Sequence, residues 1–587
     1  MTINIEYFKL PIEYLTDKVE LEQSIVDDLE LLITKDSSSV PIYNVVFNPE
    51  NPCAKSTCKL WAKYYTTDKQ FLNDSKTFIE TFKMMPTTTI ETSCFNINEQ
   101  FEDVYSIYDE LSKETGFLEK YNYIDSSWFI HLNNNEQLLQ ILSVYNLSSP
   151  VMSLLLPIIF LILPFFILKF QGINLSMTTY FNVLKQVCSK HAIGHLFTNF
   201  KELPLEKQFY MLFSIFFYCF QIYQNGNACI KFYRNLSKMH TYLLSLRQYI
   251  DYTLDTFDHV KMLCTNLGSY SPFIQHMNEE REILYNLKCK LDNIKQWKLN
   301  IRNLMNIGFA MKCFYTIYSD DTIKHSLTYS FGFHGFINNI EQLKMKLDAN
   351  FISSCKFSKK KTIFKDAYFP SLLQHQLIEP IKNSYNINKH ILITGPNAAG
   401  KTTLLKTTLF NILFSQQTCH GFYSNAVIPI YSKIHCYLNI PDTSGRDSLF
   451  QAEARRCKNI IIDIENDKKG KHFCVFDELY SGTNPYEAIS ASIAFLKYLN
   501  KFKNTNYMLT THFLDVCKSL DNDKRIINCH MNILNQSSDN SSCEFKYTYK
   551  LKQGISSIKG GVKVLVDLDY PAEIIKETKL LINKLDM

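Results

Sequence analysis

No Cys-x-x-Cys pair occurs in the sequence although it holds 17 cysteines, and Cys53 and Cys58 stand without a second pair. That spacing excludes a zinc site of the paired-thiolate kind. No zinc is expected, and the scattered thiols read as reduced, mostly structural groups of a cytosolic or cytosol-facing body. A strong excess of one charge is also missing. The 62 basic and 57 acidic residues leave a formal charge of +5 over 587 residues, too slight to mark the whole chain as a nucleic-acid binder, so any basic surface must be local. From Met1 to Glu20 there is no apolar core, because Glu6, Lys9, Glu13, Asp17 and Lys18 interrupt it, and no cleaved signal peptide is expected. The length exceeds one ordinary core and implies roughly three or four domains or segments.

Charge disappears altogether between Gln137 and Leu168, and Val151 to Leu168 is apolar except for Ser153, Pro157 and Pro164. About 18 such residues suffice to cross a bilayer, and helices of soluble cores seldom stay apolar on every face for so long. A membrane span is therefore expected at residues 151–168. The two prolines oppose a straight span, but neighbouring helices or a re-entrant bend accommodate them. A second stretch, Phe209 to Tyr223, is shorter and more aromatic, and fits either a second span or a buried or interfacial helix. Between the two, Lys169, Lys185, Lys190, Lys201 and Lys207 outnumber Glu202 and Glu206, an excess that favours the cytosolic side. A hairpin would keep both soluble parts in the cytosol and export this basic loop; a single span would export residues 1–145 instead.

Residues 1–145 form a segment of their own, short apolar runs alternating with polar turns, that reads as largely helical. Within it the acidic stretch Phe101 to Glu119 reads as a solvated helix face. Residues 146–230 form the membrane-associated region. Over 231–365 the pattern is helical, with Leu284, Leu287, Leu291, Ile294, Ile301 and Met305 at three- and four-residue steps, which predicts one long helix or a helical pair. Lys359, Lys360 and Lys361 mark an exposed turn into the last domain, residues 366–587.

That last domain opens with an apolar run, Ile391 to Ile393, followed by Thr-Gly-Pro-Asn-Ala-Ala-Gly-Lys-Thr-Thr. A strand, a loop turning on Gly395 and Gly400, and a helix from Leu404 would make a nest of backbone amides for polyphosphate. Lys401 would reach the outer phosphates, and Thr402 would hold magnesium. Pro396, Asn397, Ala398, Ala399 and Thr403 complete the loop. Downstream, the apolar run Phe473 to Phe476 ends in Asp477-Glu478, where Asp477 would hold the metal through water and Glu478 would act as general base on the attacking water. A third strand, Tyr507 to Thr510, runs into Thr511-His512, placing a histidine at the carboxyl end of the sheet where it could sense the outer phosphate.

These residues, together with Ser-Leu-Phe-Gln-Ala-Glu from 448, Asp-Glu-Leu-Tyr-Ser-Gly-Thr-Asn from 477 and Thr-Thr-His from 510, resemble the ATPase domain of the MutS family over about residues 370–587. The closing stretch, Tyr547 to Gly554, Gly560-Gly561-Val562 and Leu568 to Pro571, is similar to the family's last strands and helix. The resemblance implies a P-loop α/β ATPase domain of ABC/MutS type with a mostly parallel sheet, preceded by a mainly α-helical lever; the membrane-associated helical segment ahead of the lever rests on the apolar run and is foreign to the family's repair proteins. It also implies ATP and Mg2+ as cofactors and a homodimer with shared sites. In it Ser448 is offered across the interface to the outer phosphate, Phe450 and Glu453 of the same signature belong to that dimer interface, and Gly482 with Thr483 lie in the loop linking the sites. DNA becomes a candidate partner, and Glu478, His512 and Ser448 the catalytic set.

Departures accompany the likeness. Ala398-Ala399 and Thr402 stand where the family commonly has Met-Gly and Ser, and Tyr431 to Asp447 lacks its usual Arg-Ile-Gly-Ala pattern. Residues 1–145 carry no mismatch-reading domain; Phe78-Ile79-Glu80 and Phe117-Leu118-Glu119 match only the letters of its Phe-x-Glu wedge. The expectation is thus a membrane-anchored ATPase facing the cytosol, holding or remodelling DNA. Against it stand a soluble cytoplasmic or nuclear DNA clamp and a membrane ATPase acting on a partner other than nucleic acid.

Overall fold

A computed structural model describes residues 3–83, 97–112, 116–172, 176–190, 205–298, 300–374, 379–438, 448–535, 545–556, 558 and 561–585. Two compact units arise, each from separated stretches. One comprises Met1–Thr89, Thr256–Glu280 and Thr328–Met587; the other comprises Ile90–Asp255 and Arg281–Leu327. These units cut across the linear segmentation at 145, 230 and 365.

The first unit is organised on a six-stranded sheet in the order Phe545–Gln553, Ile526–Asn535, His390–Thr394, Thr505–Thr510, His472–Asp477 and Lys433–Tyr437. Four successive pairings are parallel, and only Phe545–Gln553 runs antiparallel, at one edge. Uninterrupted apolar runs such as Phe473-Cys474-Val475-Phe476 suit strands covered on both faces, and all four residues are buried. One layer over the sheet is the helix Pro485–Leu499, which buries Ala488, Phe495, Leu496 and Leu499 beside Ile460 and Ile464 of the helix Leu449–Asn466. A smaller five-stranded sheet draws in Ser353–Phe357, ahead of the expected domain start at 366, and Ile363–Ala367, which straddles it.

The helix Lys401–Thr418 is buried nearly throughout, because the N-terminal stretch covers what the sheets leave open. Its last turn carries two buried glutamines that clasp this stretch. Gln417 Nε2 donates to the carbonyls of Trp61 (2.6 Å) and Tyr64 (2.9 Å), while its Oε1 accepts from the hydroxyl of fully buried Tyr43 at 2.9 Å. Gln416 Nε2 donates to the carbonyls of Thr66 and Tyr431, and its Oε1 accepts from the Tyr431 amide. Each bond contributes about 1 kcal/mol net, and a broken one would leave a buried amide unsatisfied. Phe47 packs edge-on to Phe414 in the same contact. Gly335 marks another close approach: a Cβ there would lie 2.2 Å from Thr57 Oγ1 and 2.6 Å from the Cys53 carbonyl oxygen.

The second unit is helical. Along Ile97–Ser112, the residues Phe101, Val104, Ile107 and Leu111 are buried, as a three- and four-residue spacing requires. Its acidic face is not simply solvated. Glu110 accepts from Tyr121 (2.7 Å), Lys238 (3.1 Å), Tyr242 (2.9 Å) and Lys120. Burial alone would raise this carboxyl, but the four donors hold it at about 2. The stripe expected from Leu284 to Met305 divides. Leu284, Leu287 and Leu291 are buried on the helix Ser271–Leu291, and Ile294 is buried in the turn beyond it. Ile301 and Met305 are 78% and 72% exposed on a separate short helix, Ile301–Met305, because Asn300 caps a new start and rotates the register.

The apolar segment belongs to one 35-residue helix, Glu136–Phe170. Among the described residues, Glu136–Leu156 is the one stretch long and apolar enough to cross a membrane, and 11% of its apolar window is buried. The side chains of Pro157 and Pro164 lie outside the described residues. Phe209 to Tyr223 is neither short nor buried: it lies in the 59-residue helix Leu205–Leu263, with Phe209, Phe213, Phe216 and Tyr223 exposed. The two helices run antiparallel. Tyr218 and Asn225 bond the carbonyl and hydroxyl of Ser153 (3.0 and 2.6 Å), and Cys229 bonds the Leu147 carbonyl (3.2 Å).

Candidate functional site

Three adjacent parallel strands end together. Thr394 leads into Gly395, Asp477 into Glu478, and Thr510 into Thr511-His512, with Asp477 registered on Thr510 and Thr510 on Ile393. In an open parallel sheet the carboxyl edge is where loops converge on a ligand. The loop after Thr394 needs left-handed backbone at Gly395 (φ 145°), Ala398 (φ 60°) and Gly400 (φ 90°). Glycine meets this freely at 395 and 400, whereas Ala398 carries local strain.

Lys401, the first residue of the buried helix, turns back over the loop. Its Nζ donates to the carbonyls of Gly395 (2.9 Å) and Pro396 (3.2 Å) and lies 3.0 Å from His512 Nε2. Burial pulls this ammonium below its ordinary range, while Glu478 and Asp477 oppose the shift. Thr402 Oγ1 donates to Asp477 Oδ2 at 2.8 Å, and Thr510 donates to the other Asp477 oxygen. Burial pushes Asp477 up against the pull of these two hydroxyls.

Glu478 sits at φ 52°, turned out of the strand, and its Oε1 lies 2.9 Å from His512 Nε2. The hydrogen bond from His512 holds it below the ordinary carboxylate range. One nitrogen therefore faces both Lys401 and Glu478. As a bare nitrogen it accepts from Lys401; as N–H it donates to Glu478. A single proton decides which of the two charged groups His512 restrains.

A cavity of about 490 Å³ opens here. Pro396, Asn397, Ala398, Ala399, Gly400, Lys401, Thr402, Thr403 and Glu478 line it. Phe369, Leu372, Ile381, Met531 and Tyr549 add an apolar lining. The sequence offered little signal for this apolar wall, which comes from both sides of the loop in the chain. Tyr549 fell within a stretch legible only as closing strands, and it is held there by Asn383, whose Nδ2 donates to the Tyr549 carbonyl at 2.9 Å.

The remaining expected residues form a neighbouring cluster. Ser448 is exposed and caps the helix Leu449–Asn466 in a reciprocal box with Gln451. It does not line the cavity. Phe450 packs on Tyr480, whose backbone is left-handed at φ 58°. Glu453 is turned inward rather than offered outward: it is buried and accepts from Ser481 N (3.1 Å), Ser481 Oγ (2.9 Å) and Gly482 N (3.2 Å) of its own chain. A Cβ on Gly482 would meet the Phe450 amide nitrogen at 2.8 Å, and Thr483 donates to Glu487 at 2.6 Å. Residues 439–447, which include most of the departing segment before Ser448, lie outside the described residues. Phe78 and Phe117 are buried, stacked on Phe336 and Tyr318, so neither serves as a wedge.

Comparison with known proteins agrees with the region of this site. Residues 391–586 match the family model described as MutS domain V. The chain is 26% identical over 216 residues to the DNA mismatch repair protein MutS of Persephonella marina, covering 36% of this chain and 24% of that protein. It is 22% identical over 211 residues to the protein of the same description from Geobacillus sp., covering 35% and 23%. With that of Borrelia garinii subsp. bavariensis it is 23% identical over 399 residues, covering 63% of this chain and 45% of the relative, so this likeness reaches beyond the region of the family match. The chain spans about a quarter of the length of the first two relatives and less than half of the third.

Proposed function

We propose that this chain is a MutS-family ATPase that acts as a homodimer, is tethered to a membrane by an apolar helical hairpin, and holds or remodels DNA. The observation that carries the ATPase reading is the convergence of Lys401, Thr402 with Asp477, and Glu478 with His512 at three neighbouring strand ends. The cavity suits a nucleotide. Its lining supplies the loop and Lys401 for phosphates, and Phe369, Met531 and Tyr549 supply apolar surface for a base. The paired oxygens of Thr402 and Asp477 are the hard donors that Mg2+ requires, and the ion would neutralise charge on the phosphates.

Glu478, held ionised by His512, is suited to take the proton of a water that attacks the outer phosphorus as its bond to the bridging oxygen breaks. Lys401 would exchange its loop carbonyls for phosphate oxygens. Exposed Ser448, at a helix N-terminus that favours anions, supports a role toward a second copy's nucleotide. Two half-sites closed by ATP turn nucleotide state into dimer shape.

The hairpin's exposed Val151, Leu154, Phe209 and Phe216 support burial in lipid. Residues 3–83 pack on the ATPase fold through Tyr43, Gln416 and Gln417, which favours an even number of crossings or an in-plane hairpin over a single span. Both soluble parts then share the cytosolic side. The same apolar surface favours, as a second reading, a membrane ATPase whose partner is not nucleic acid.

Phosphate release by the purified chain tests the first claim: Lys401→Ala should abolish nucleotide binding, and Glu478→Gln should bind ATP without turning it over. Normal hydrolysis by Glu478→Gln would refute the base assignment. Carbonate extraction tests the anchor, with release into the supernatant counting against it. Binding to duplex and branched DNA across salt concentrations separates the two partner readings, since absence of binding at low salt removes DNA.

A further inference from the structure

Away from the cavity, at the outer edge of the large sheet, Glu22, His435 and Asp463 each present a ligand atom within 4.8 Å of the others. Three separate pieces of chain meet there. His435 stands on the edge strand Lys433–Tyr437, Asp463 on the helix Leu449–Asn466, and Glu22 immediately precedes the short helix Gln23–Asp28. The imidazole is buried, and both carboxylate residues are half-buried.

A relay of hydrogen bonds fixes how His435 points its lone pair. His472 Nε2 lies 2.9 Å from the Asp467 carbonyl, which only accepts, so that nitrogen carries a proton and donates. In the tautomer in which His472 Nδ1 accepts, His435 Nε2, 3.1 Å away, donates to it. The two rings stack at 12°. That tautomer leaves His435 Nδ1 bare, 3.9 Å from Asp463 Oδ2 and beyond hydrogen-bonding distance. A bare nitrogen facing carboxylate oxygens calls for a positive centre between them.

Local cations do not fill that place. Lys433 Nζ bonds Asp463 Oδ1 at 2.8 Å and Arg456 bonds Glu22 Oε2 at 2.9 Å, so each takes one oxygen and leaves the other for an ion. One imidazole and two carboxylates suit a borderline divalent ion, with water completing a tetrahedron. A hydrogen bond from the second imidazole nitrogen to a fixed partner is the support such a ligand usually has. We propose that Glu22, His435 and Asp463 form a structural Zn2+ site that pins the N-terminal stretch and the helix headed by Ser448 to the edge of the sheet. This departs from the sequence expectation of no zinc, which rested on thiolate pairs alone.

The test uses the full chain, stripped with EDTA and without nucleotide, in the Asp477→Asn background so that the candidate magnesium site does not contribute. Equilibrium dialysis against Zn2+ should show one saturable equivalent, and Zn2+ should raise the melting temperature. Combining Glu22→Gln with Asp463→Asn should weaken Zn2+ binding by about tenfold or more and remove the thermal shift. Lys433→Gln should tighten binding by removing a competing cation. Circular dichroism and melting in EDTA establish that the variants fold, which spares the buried His435 from substitution. The proposal is overturned by lack of saturable Zn2+ binding in the parent, by binding undiminished in the Glu22/Asp463 double variant, or by weaker binding in Lys433→Gln.

Discussion

Replacing Glu453 with alanine separates an internal strut from a subunit contact. The carboxylate is 2% exposed and accepts from Ser481 N, Ser481 Oγ and Gly482 N at 3.1, 2.9 and 3.2 Å. The Ser481 hydroxyl can rotate to water, so its loss weighs little. Two amides lose a charged acceptor, at about 1–3 kcal/mol each when orphaned in a buried place. Ser481 and Gly482 themselves are exposed, so water recovers part of this once the loop loosens, and the sum falls near about 2 kcal/mol. Glu453→Gln keeps one carbonyl acceptor and should lose roughly half as much. Urea unfolding, followed at two protein concentrations a hundredfold apart, is the assay. An internal strut lowers the midpoint equally at both, whereas a contact between subunits lowers it only where the dimer is populated. A midpoint unchanged in dilute protein, with loss confined to the concentrated sample, would refute the reasoning.

Gly482→Ala places a Cβ 2.8 Å from the Phe450 amide, a backbone atom that cannot swing aside, and should destabilise by about 1–3 kcal/mol in the same urea assay. Glu110 has a folded pKa of about 2, below its unfolded value, so its contribution is present above about pH 4.3 and lost as pH falls through 2. Acid unfolding of Glu110→Gln should therefore show lower stability than the parent at pH 6 and converge with it near pH 2. Glu341 has the opposite sign: burial and Glu50 raise it to about 7, so the folded state is penalised as pH rises through that value. Glu341→Gln should raise the melting temperature at pH 8 and leave it nearly unchanged at pH 4.

Much of the site was legible because its parts are local. Strand, loop and helix from Ile391 to Leu404 announce themselves by an apolar run, two glycines and a lysine at fixed spacing, and the second strand end needs only an uninterrupted apolar run closed by Asp477-Glu478. Helical spacing carried Leu284, Leu287 and Leu291 correctly to a buried face and then failed at Ile301 and Met305. A three- and four-residue count cannot see the new helix start at Asn300. Phe209 to Tyr223 was bounded by its flanking lysines, yet the helix continues through Lys231 to Leu263, because a solvated lysine does not end a helix.

The sequence by itself determined which side chains gather at the carboxyl edge of the large sheet, since a glycine-turned loop between strand and helix and an acidic strand end require particular residues at short, fixed separations. Tertiary structure alone decided what faces what across hundreds of residues. It brought Tyr43 to Gln417, turned Glu453 inward onto Ser481 and Gly482, closed the cavity with Phe369 and Tyr549, and set Glu22 beside His435 and Asp463. These pairings depend on the complementary packing of distant surfaces and on satisfying buried polar groups, and neither leaves a periodic mark along the chain.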